Sequence, residues 1–562
     1  MRVHHRPRAA WLAAAVFLAE WQLPAQPPPG PQAQTKPEDL CSIEGMVTNA
    51  ATGEALKKAG VAVTKGGFTS PDRLTTTTDG TGRYQVSAVP PGSYTVLAEH
   101  PGFRMTAFGS RSAPAQGTTL VLTPGQKATG VDVKLLPYGV LAGKVVDVDG
   151  EGVPGVAVSA LRMQYENGRK QLTEVSIGTT NDLGEYRLYK MDPGRYYVRA
   201  ARRPAVAGQD RSAHPPREGY APTYYPGTPD AQGAIPVEVA AGQTQTAAIK
   251  LARTPITSIR GRIVNQSGAP NTSISVALKL SGVLLAQNTP ASVAPDGQFE
   301  FRAVPSGHYY VQAQVGAQGP LAHGPQVQRE VEARGEPIEG VVLTLIPLFD
   351  IAGSVRVEEG EIPDLRAALL YLSPPVMSDF LEAASLLSTA RVSGDGSFTL
   401  KGLSPNTYVL TFGELPEGYY LKAAKIGEVD VLEKDAELSG PPGAPLLLTL
   451  SAKAGAIAGA VKDENGGAAG GAIVALVPEG AGRREQARLY HTKTTDQYGR
   501  FKLTGLAPGD YRLFAFSQLD GGALRDPEFL KPIESKGVRV TVREGGSENA
   551  DINLIPSVEA PR

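Results

Sequence analysis

The chain has 562 residues, of which 64 are glycine and 46 are proline, a turn-rich composition that predicts folded rather than low-complexity structure. At about 150 residues per domain, this length predicts several domains. The 55 lysines and arginines against 56 acidic residues leave a net charge of −1, which provides no basic field for nucleic acid or for an anionic membrane surface.

The N-terminal segment is predicted to direct export. Residues 1–25 combine three arginines with an apolar run over 9–19 and a small-residue cleavage position at Ala25, the pattern of a signal peptide. This run is too short for the roughly 20 residues that span a bilayer. Residues 26–40 carry five prolines and are predicted to be an extended linker. No later stretch predicts a membrane span, so we expect a secreted chain that is periplasmic, outer-surface or extracellular.

One pattern of turns and strands then recurs five times. Each copy has a turn rich in Asp and Gly, a strand of the form aromatic-x-aliphatic, a corner that contains proline, and a second strand led by tyrosine. The aromatic-x-aliphatic pairs are Tyr84/Val86, Tyr186/Leu188, Phe299/Phe301, Phe398/Leu400 and Phe501/Leu503. The corner tyrosines are Tyr94, Tyr196, Tyr309, Tyr408 and Tyr511. Their spacing of about 100 residues indicates whole domains rather than the short units of a solenoid.

These copies predict five tandem β-sandwich domains, called repeats 1 to 5 below. Their predicted bounds are 41–136, 137–254, 255–347, 348–453 and 454–562. Residues two positions apart share one face of a strand, so the aromatic and aliphatic pairs are predicted to lie in the core. Short alternating strands between turn signals predict an all-β sandwich.

Two repeats depart from the common pattern. Repeat 2 carries a long segment at 201–233 that is rich in tyrosine, and uncommonly long loops are often functional. Repeat 4 is predicted to hold a short helix within 374–388, where apolar residues fall three or four positions apart.

The motifs of the repeat resemble those of a known family. Gly45-Met46-Val47 at the first strand, Asp79-Gly80-Thr81-Gly82 before Tyr84, and Pro91-Gly92-Ser93-Tyr94-Thr95-Val96 at the corner are similar to the carboxypeptidase regulatory-like domain and to the related collagen-adhesin B-type repeats of bacteria. The resemblance covers nearly all of 41–556. It implies a Greek-key, transthyretin-like (prealbumin-like) sandwich. It also implies a non-catalytic accessory module of exported proteins, sometimes grouped with starch-binding folds.

The sequence predicts no enzyme and no catalytic, metal or cofactor-binding residues. The histidines after the predicted signal are scattered, and none has the nearby glutamate that a zinc peptidase needs. Lys144 and Lys462 are interpreted as surface side chains, because each corner tyrosine is followed at the fourth position by Ala or Phe, which cannot shuttle the proton for an isopeptide bond. Acidic stretches at 147–151 and 463–466 lack a complete calcium loop and are interpreted as hairpin turns.

Two functions are favoured by the sequence, and an enzyme with an unrecognised site between domains is a third, disfavoured alternative. The first is a structural, adhesion or scaffold protein of the cell envelope that contacts a partner protein through loops and edge strands, with five domains joined into a rod on the order of 150–200 Å long. The second is a carbohydrate-binding protein that uses Tyr220, Tyr224 and Tyr225 of the long segment. Both tryptophans, Trp11 and Trp21, fall in the predicted signal, which weakens the second function, and the tyrosines could instead hold the segment on the sandwich. The predicted partner is therefore an envelope protein or polysaccharide.

Overall fold

The computed structural model describes residues 36–65, 73–110, 117–166, 168–202, 205–206, 218–281, 283–284, 289–316, 324–374, 387–413 and 415–556. The predicted signal peptide, most of the proline-rich linker, and residues 375–386 of the predicted helix lie outside this part of the chain. Strands dominate the part that is described. The predicted all-β class is therefore confirmed.

The secondary structure follows the repeats. Repeat 1 has η1 (Pro37–Asp39), β1 (Cys41–Asn49), β2 (Gly60–Lys65), β3 (Arg73–Thr77), β4 (Arg83–Val89), β5 (Gly92–Glu99), β6 (Thr106–Ala107), β7 (Leu120–Leu122), β8 (Lys127–Ala128) and β9 (Val133–Leu135). Repeat 2 has β10 (Gly139–Val146), β11 (Ala157–Glu166), β12 (Arg169–Thr179), β13 (Glu185–Met191), β14 (Gly194–Ala201), β15 (Ala205–Val206), β16 (Glu218–Tyr220), β17 (Thr223–Tyr224), η2 (Ala231–Gly233), β18 (Val237–Val239), β19 (Thr244–Thr246) and β20 (Ile249–Lys250).

Repeat 3 begins with a strand that starts at the end of repeat 2. It has β21 (Arg253–Asn265), η3 (Asn271–Ser273), β22 (Ile274–Leu280), β23 (Val283–Leu284), β24 (Thr289–Ala291), β25 (Gln298–Pro305), β26 (Gly307–Val315), β27 (Gln326–Ala333) and β28 (Ile338–Leu345). Repeat 4 has β29 (Phe349–Val357), β30 (Leu369–Ser373), β31 (Ser388–Arg391), β32 (Ser397–Leu403), β33 (Asn406–Phe412), β34 (Tyr420–Ile426), β35 (Val429–Asp430), β36 (Ala436–Leu438) and β37 (Leu446–Ser451).

Repeat 5 adds short helices to its strands. It has β38 (Gly455–Lys462), β39 (Ile473–Pro478), α1 (Ala481–Arg484), η4 (Ala487–Leu489), β40 (His491–Thr494), β41 (Arg500–Leu506), β42 (Gly509–Phe516), η5 (Gly521–Arg525), α2 (Pro527–Leu530), η6 (Lys531–Lys536), β43 (Val538–Val542), β44 (Ser547–Asn549) and β45 (Ile552–Ile555).

The repeats share a common set of strand pairings, although in repeat 4 the strand β34 pairs with the closing strand β37. In repeat 1, β4, β1 and β8 form one sheet with β9 beside β1, and β3, β2, β5 and β6 form the sheet opposite. The closing strand β9 runs parallel to the first strand β1, with Val133 opposite Val47. The same parallel pairing joins β20 to β10, β28 to β21, β37 to β29 and β45 to β38. A last strand that returns across the fold to lie beside the first is a Greek-key type of connection.

The cores lie between the two sheets of each repeat. Five buried clusters of apolar side chains fill these spaces, one in each repeat. The aromatic-x-aliphatic residues predicted from the alternation are all buried. The strand period therefore predicted the inward face correctly.

The corner tyrosines fix the turns that precede them. Each hydroxyl donates a hydrogen bond to the carbonyl oxygen four residues earlier, from Tyr94 to Pro90 (2.7 Å), Tyr196 to Asp192 (2.5 Å), Tyr309 to Pro305 (3.0 Å), Tyr408 to Ser404 (2.8 Å) and Tyr511 to Ala507 (2.8 Å). This is the tyrosine corner of β-sandwich proteins. It gives a partner to each largely buried phenol, so the strongest repeat motif serves folding.

The first-strand glycine permits a close approach of two chain segments. A Cβ atom at Gly45 would lie 2.0 Å from the carbonyl oxygen of Val131, to which Tyr84 donates its hydroxyl at 2.6 Å. A Cβ atom at Gly143 would lie 1.9 Å from the carbonyl oxygen of Ala247. Any larger residue would push the closing segment away, which explains why glycine occupies this position.

Candidate functional site

The long segment of repeat 2 brings the three predicted tyrosines together. Tyr224 is 6% exposed, lies in β17 next to β14, and packs against Leu161 and Leu172. Tyr220 and Tyr225 are half-buried and pack against the core of repeat 2. A sugar platform requires exposed ring faces. The three tyrosine rings instead contact other protein residues, which agrees with the alternative that they hold the long segment on the sandwich. Residues 203–204 and 207–217 of the segment lie outside the part that the structure describes.

An open cavity of about 590 Å³ borders this segment. Its lining residues are Pro226, Gly227, Thr228, Gly233, Ile235, Lys250 and Leu251. None of them carries an aromatic ring. The cavity therefore adds no sugar platform to the three tyrosines.

The acidic stretches form turns in the structure. Asp147 Oδ1 accepts hydrogen bonds from the backbone N–H groups of Asp149 (2.9 Å) and Glu151 (3.0 Å), and Asp463 makes the equivalent two bonds in repeat 5. Aspartate commonly closes turns in this way. Within the described ranges, no three His, Cys, Asp or Glu side chains are grouped so that they could hold a metal ion. Nor does any helix there combine the length and apolarity needed to cross a membrane.

Repeats 2 and 3 complete each other's sheets. The edge strand β12 of repeat 2 pairs in parallel with β23 of repeat 3. In return, β15 from the long segment of repeat 2 pairs with β25 of repeat 3, while β16 pairs with the start of β21 where repeat 2 passes into repeat 3. Strand addition of this kind gives partners to edge N–H and C=O groups, so the long segment serves an inter-repeat contact.

A buried ion pair lies on the outer face of repeat 2. Arg199 is 4% exposed and Glu174 is 8% exposed, and Arg199 Nη2 lies 3.2 Å from Glu174 Oε2. The Ser159 hydroxyl donates to the same carboxylate oxygen at 2.5 Å. Leu280 of repeat 3 packs against the apolar cluster of Leu161, Leu172 and Tyr224 on this side of repeat 2. Sequence alternation placed these polar residues outside the core, and no sequence signal indicated that repeat 3 would cover them.

Repeat 5 carries a small helical cap that sequence analysis missed. The cap consists of η5, α2 and η6 and lies on the outer face of β42. It builds a second buried cluster from Phe514, Phe516, Ala523, Leu524, Phe529, Leu530 and Ile533, among others. Asp526 caps α2 by accepting from the N–H of Glu528 at 2.9 Å, ahead of a proline at the first helical position. This Asp-Pro start was the signal in the sequence that could have revealed the cap.

The cap receives the tip of the β11–β12 hairpin of repeat 2. The ring of Tyr165 meets that of Phe529 edge to face, with centroids 5.9 Å apart. The Tyr165 backbone N–H donates to Asp520 Oδ2 at 3.0 Å. Burial, and then the nearby charge of Asp526, raise the pKa of Tyr165 to about 12. The contact joins residues more than 350 positions apart in the chain.

Repeat 5 also meets repeat 1. The side-chain amide of Gln497 donates to the carbonyl oxygen of Val121 at 2.8 Å and accepts from its N–H at 3.0 Å. Gly471 lies so close to Gly109 that a Cβ atom on Gly471 would be 2.5 Å from the Gly109 carbonyl oxygen. Repeat 5 therefore contacts repeats 1 and 2 in addition to repeat 4. The expectation of a straight rod is wrong, because the row of repeats folds back on itself.

A cleft of about 890 Å³ separates repeats 4 and 5. Its walls come from β33 and β34 on one side and from β40 and β41 on the other. The Lys502 ammonium lies 2.6 Å from a Glu417 carboxylate oxygen across the two repeats. Burial, and then the charge of Arg488, lower the pKa of His491 to about 4. His491 is therefore neutral at neutral pH, and Arg488 and Lys493 are the remaining cations in the lining.

This architecture defines an all-β protein of repeated transthyretin-like sandwiches. Residues 42–136, which are repeat 1, match the family model of the carboxypeptidase regulatory-like domain. Repeat 1 is thus a domain of this family, and the resemblance seen in its motifs is confirmed there.

Comparison with curated proteins gave no match. Comparison with solved structures gave partial similarities. The Bacillus anthracis TIE protein is 16% identical over 55% of this chain and 51% of its own, with a TM-score of 0.17. The minor pilin GBS52 of Streptococcus agalactiae is 12% identical over 38% of this chain and 96% of its own, with a TM-score of 0.22. The shaft pilin SpaA of Lactobacillus rhamnosus GG is 12% identical over 38% and 98%, with a TM-score of 0.19. The chain spans about half the length of the TIE protein.

Proposed function

We propose that the chain is an exported, non-enzymatic scaffold protein of the cell envelope, built from five regulatory-like β-sandwich domains, that acts by binding other proteins. The observation that carries this proposal is the position of repeat 5, which contacts repeats 1, 2 and 4 through Gln497, Tyr165 and Lys502. Contacts between distant repeats hold their outer surfaces in fixed relative positions. Such an arrangement of repeats is better suited to holding several binding surfaces together than to keeping two binding sites far apart.

The use of the motif residues supports a binding role rather than catalysis. The corner tyrosines and first-strand glycines are occupied in turns and close strand approaches. The sandwich interiors are filled by apolar side chains. The loops and the sheet edges are therefore the surfaces left for a partner, and a sheet edge can bind a protein by strand addition. Carbohydrate binding by the segment 201–233 stays a prediction.

Export is tested by expressing the full chain beside a chain that starts at residue 26. We expect the full chain to be cleaved near Ala25 and recovered outside the cytoplasm, and the shortened chain to stay inside, because only the first carries the signal pattern. N-terminal sequencing of the recovered protein gives the cleavage position. Uncleaved protein in the cytoplasm would contradict the proposal.

Protein binding is tested by site-specific photocrosslinking in cells that export the chain. A photoreactive residue replaces Thr75, which is exposed in the edge strand β3, and the control replaces Lys531, which is exposed in the short helix η6 rather than in a strand. We expect discrete crosslinked proteins from the edge position and few from the control. Absence of crosslinks, together with saturable glycan binding that is lost on Tyr220→Ala or Tyr225→Ala, would replace this function by carbohydrate recognition.

A further inference from the structure

One hairpin turn occurs in two repeats with different residues at its third position. Residues 147–151 of repeat 2 and 463–467 of repeat 5 are closed by the same set of hydrogen bonds to and from the first aspartate. The fourth residue of each turn is a glycine with positive φ, a conformation that glycine adopts without steric cost. The third residue is Asp149 in repeat 2 and Asn465 in repeat 5. The turn therefore accommodates either an aspartate or an asparagine at this position.

Asn465 precedes Gly466 on the surface of repeat 5. Both residues are exposed, and a Cβ atom placed on Gly466 would meet nothing within 4 Å. Because glycine has no side chain, nothing on Gly466 shields its backbone nitrogen from the side-chain carbon Cγ of Asn465. Within the described part of the chain, no hydrogen bond holds the Asn465 side-chain amide. The amide carbon and the next backbone nitrogen can therefore approach each other.

Asn181 in repeat 2 is held in the opposite way. Its Oδ1 atom accepts the backbone N–H groups of Leu183 (3.0 Å) and Glu185 (2.8 Å), and its Nδ2 atom donates to the Glu185 carboxylate at 3.1 Å. The residue that follows it is Asp182 rather than glycine. Asn181 is therefore an exposed but fixed asparagine, and it serves as the matched control for Asn465.

We propose that Asn465 is a site of spontaneous deamidation, a covalent modification that adds one negative charge to repeat 5. The Gly466 nitrogen attacks Asn465 Cγ and forms a new N–C bond. The bond from Cγ to Nδ2 breaks, and the side-chain nitrogen leaves as ammonia with the proton from Gly466. Water then opens the cyclic imide at either of its carbonyl carbons. One opening gives aspartate, and the other gives isoaspartate, in which the main chain runs through the former side-chain carbon.

One hydrogen bond must open before this reaction. The Gly466 N–H donates to the Asp463 carbonyl oxygen at 3.0 Å, so the nitrogen is engaged in the closed turn. Exposed turns belong to the parts of a protein that open locally at low free-energy cost. We therefore expect the closed turn to slow the attack only modestly. The proposal does not depend on the scaffold function.

The two products should affect the turn differently. Aspartate at position 465 reproduces the residue that Asp149 supplies in repeat 2, so all the hydrogen bonds of the turn should remain. Isoaspartate lengthens the main chain by one carbon atom between two N–H groups that both donate to Asp463 Oδ1. Both bonds cannot then keep their geometry. The hairpin beyond them, in which Ala469 N–H donates to the Val461 carbonyl oxygen at 2.9 Å, should loosen.

The test is peptide mapping of chain 26–562 by mass spectrometry after incubation of the folded protein in mildly alkaline buffer. Cleavage after Lys462 and Arg483 releases the peptide 463–483, in which Asn465 is the one asparagine. We expect this peptide to convert steadily into aspartate and isoaspartate forms, which chromatography separates. The peptide 171–187, which carries Asn181, should keep its asparagine over the same time.

A sample unfolded in urea separates the chemistry of the chain from the effect of the fold. Conversion of Asn465 in the folded chain should stay within about tenfold of the unfolded rate, because the turn opens locally. A folded chain that keeps its asparagine while the unfolded chain converts would overturn the proposal, since the turn would then protect the site. Asn465→Gln should remove the conversion in peptide 463–483. The other Asn-Gly pair, at 167–168, has its asparagine outside the described residues and falls in a different peptide.

Hydrogen exchange tests the effect on the hairpin. Asn465→Asp should leave the exchange of the Ala469 amide and the unfolding midpoint of the chain as in wild type. Incubated protein enriched in isoaspartate should exchange the Ala469 amide faster, with no change in repeat 1. Equal exchange in the isoaspartate form and in Asn465→Asp would overturn the predicted loosening, while the mass of peptide 463–483 reports the modification itself.

Discussion

The Arg199–Glu174 pair allows a quantitative test of what stabilises the outer face of repeat 2. The substitution Glu174→Ala leaves the Arg199 guanidinium buried without its carboxylate, and the Ser159 hydroxyl without its acceptor. Removal of one member of a buried ion pair costs about 3–5 kcal/mol. We therefore expect the opening equilibrium of this face of repeat 2 to increase roughly 10²–10⁴-fold.

Native-state hydrogen exchange on the full chain is the suitable assay, because it reports local opening without assuming one unfolding transition for several repeats. The amides of β11 and β14 should lose protection, whereas those of repeat 1 should not change. Asp364→Ala serves as the matched control. Its carboxylate pairs with Arg366 at 2.6 Å, but both side chains are largely exposed, so its loss should cost at most about 1 kcal/mol.

A double variant separates charge from packing. Glu174→Leu combined with Arg199→Met removes both charges and keeps apolar volume, and such replacements are often neutral or stabilising. We expect this variant to recover most of the lost protection, with a residual cost of about 1 kcal/mol for the orphaned Ser159 hydroxyl. The reasoning would be refuted if the opening free energy of Glu174→Ala, measured by hydrogen exchange, were within about 1 kcal/mol of wild type. It would also be refuted if the double variant were as destabilised as the single variant.

Three further outcomes follow from local geometry. Gly45→Ala should destabilise repeat 1 by about 1–3 kcal/mol, because its Cβ would lie 2.0 Å from a carbonyl oxygen. The control Gly80→Ala places its Cβ in open space, so its free energy of unfolding in urea titrations should stay within about 0.5 kcal/mol of wild type. Tyr165→Ala should weaken the contact between repeats 2 and 5, because it removes the ring that meets Phe529, so the amides of the cap should exchange their hydrogens faster, and unchanged exchange in the cap would contradict this contact. His491 has a folded pKa of about 4 against an ordinary value of about 6.5. Between these two pKa values the unfolded state binds more protons than the folded state, so stability should fall as the pH drops from about 6.5 to 4. His491→Gln should make the unfolding temperature in thermal scans less dependent on pH over this range.

The repeat unit could be predicted from sequence because its signals are local. Alternation of residues such as Tyr84 and Val86 fixes which strand face is buried, and the Pro-Gly corner before Tyr94 fixes a turn that the tyrosine itself closes. The helical cap of repeat 5 shows what such local sequence signals fail to predict. Its short segments 521–536 have little periodicity, and only the Asp-Pro start of α2 indicates a helix.

The candidate binding surfaces depended on contacts that no local pattern encodes. The position of Tyr224 in a long loop favours a sugar-binding ring, and only the tertiary structure shows that this ring packs against Leu161 and Leu172. The cleft beside β40 could not be foreseen either, since it exists only where repeat 4 meets repeat 5.

The sequence by itself determined the all-β class, the inward faces of the strands and the corner that each repeat shares. These features depend on interactions over a few residues, on backbone preferences and on a strand period of two. The tertiary structure alone decided the burial of Arg199 and the contact of Gln497 with Val121. The physical reason is that alternation specifies which face of a strand points away from its own core, but not what will cover that face. That outcome depends on the positions of whole repeats, set by many weak contacts between residues hundreds of positions apart.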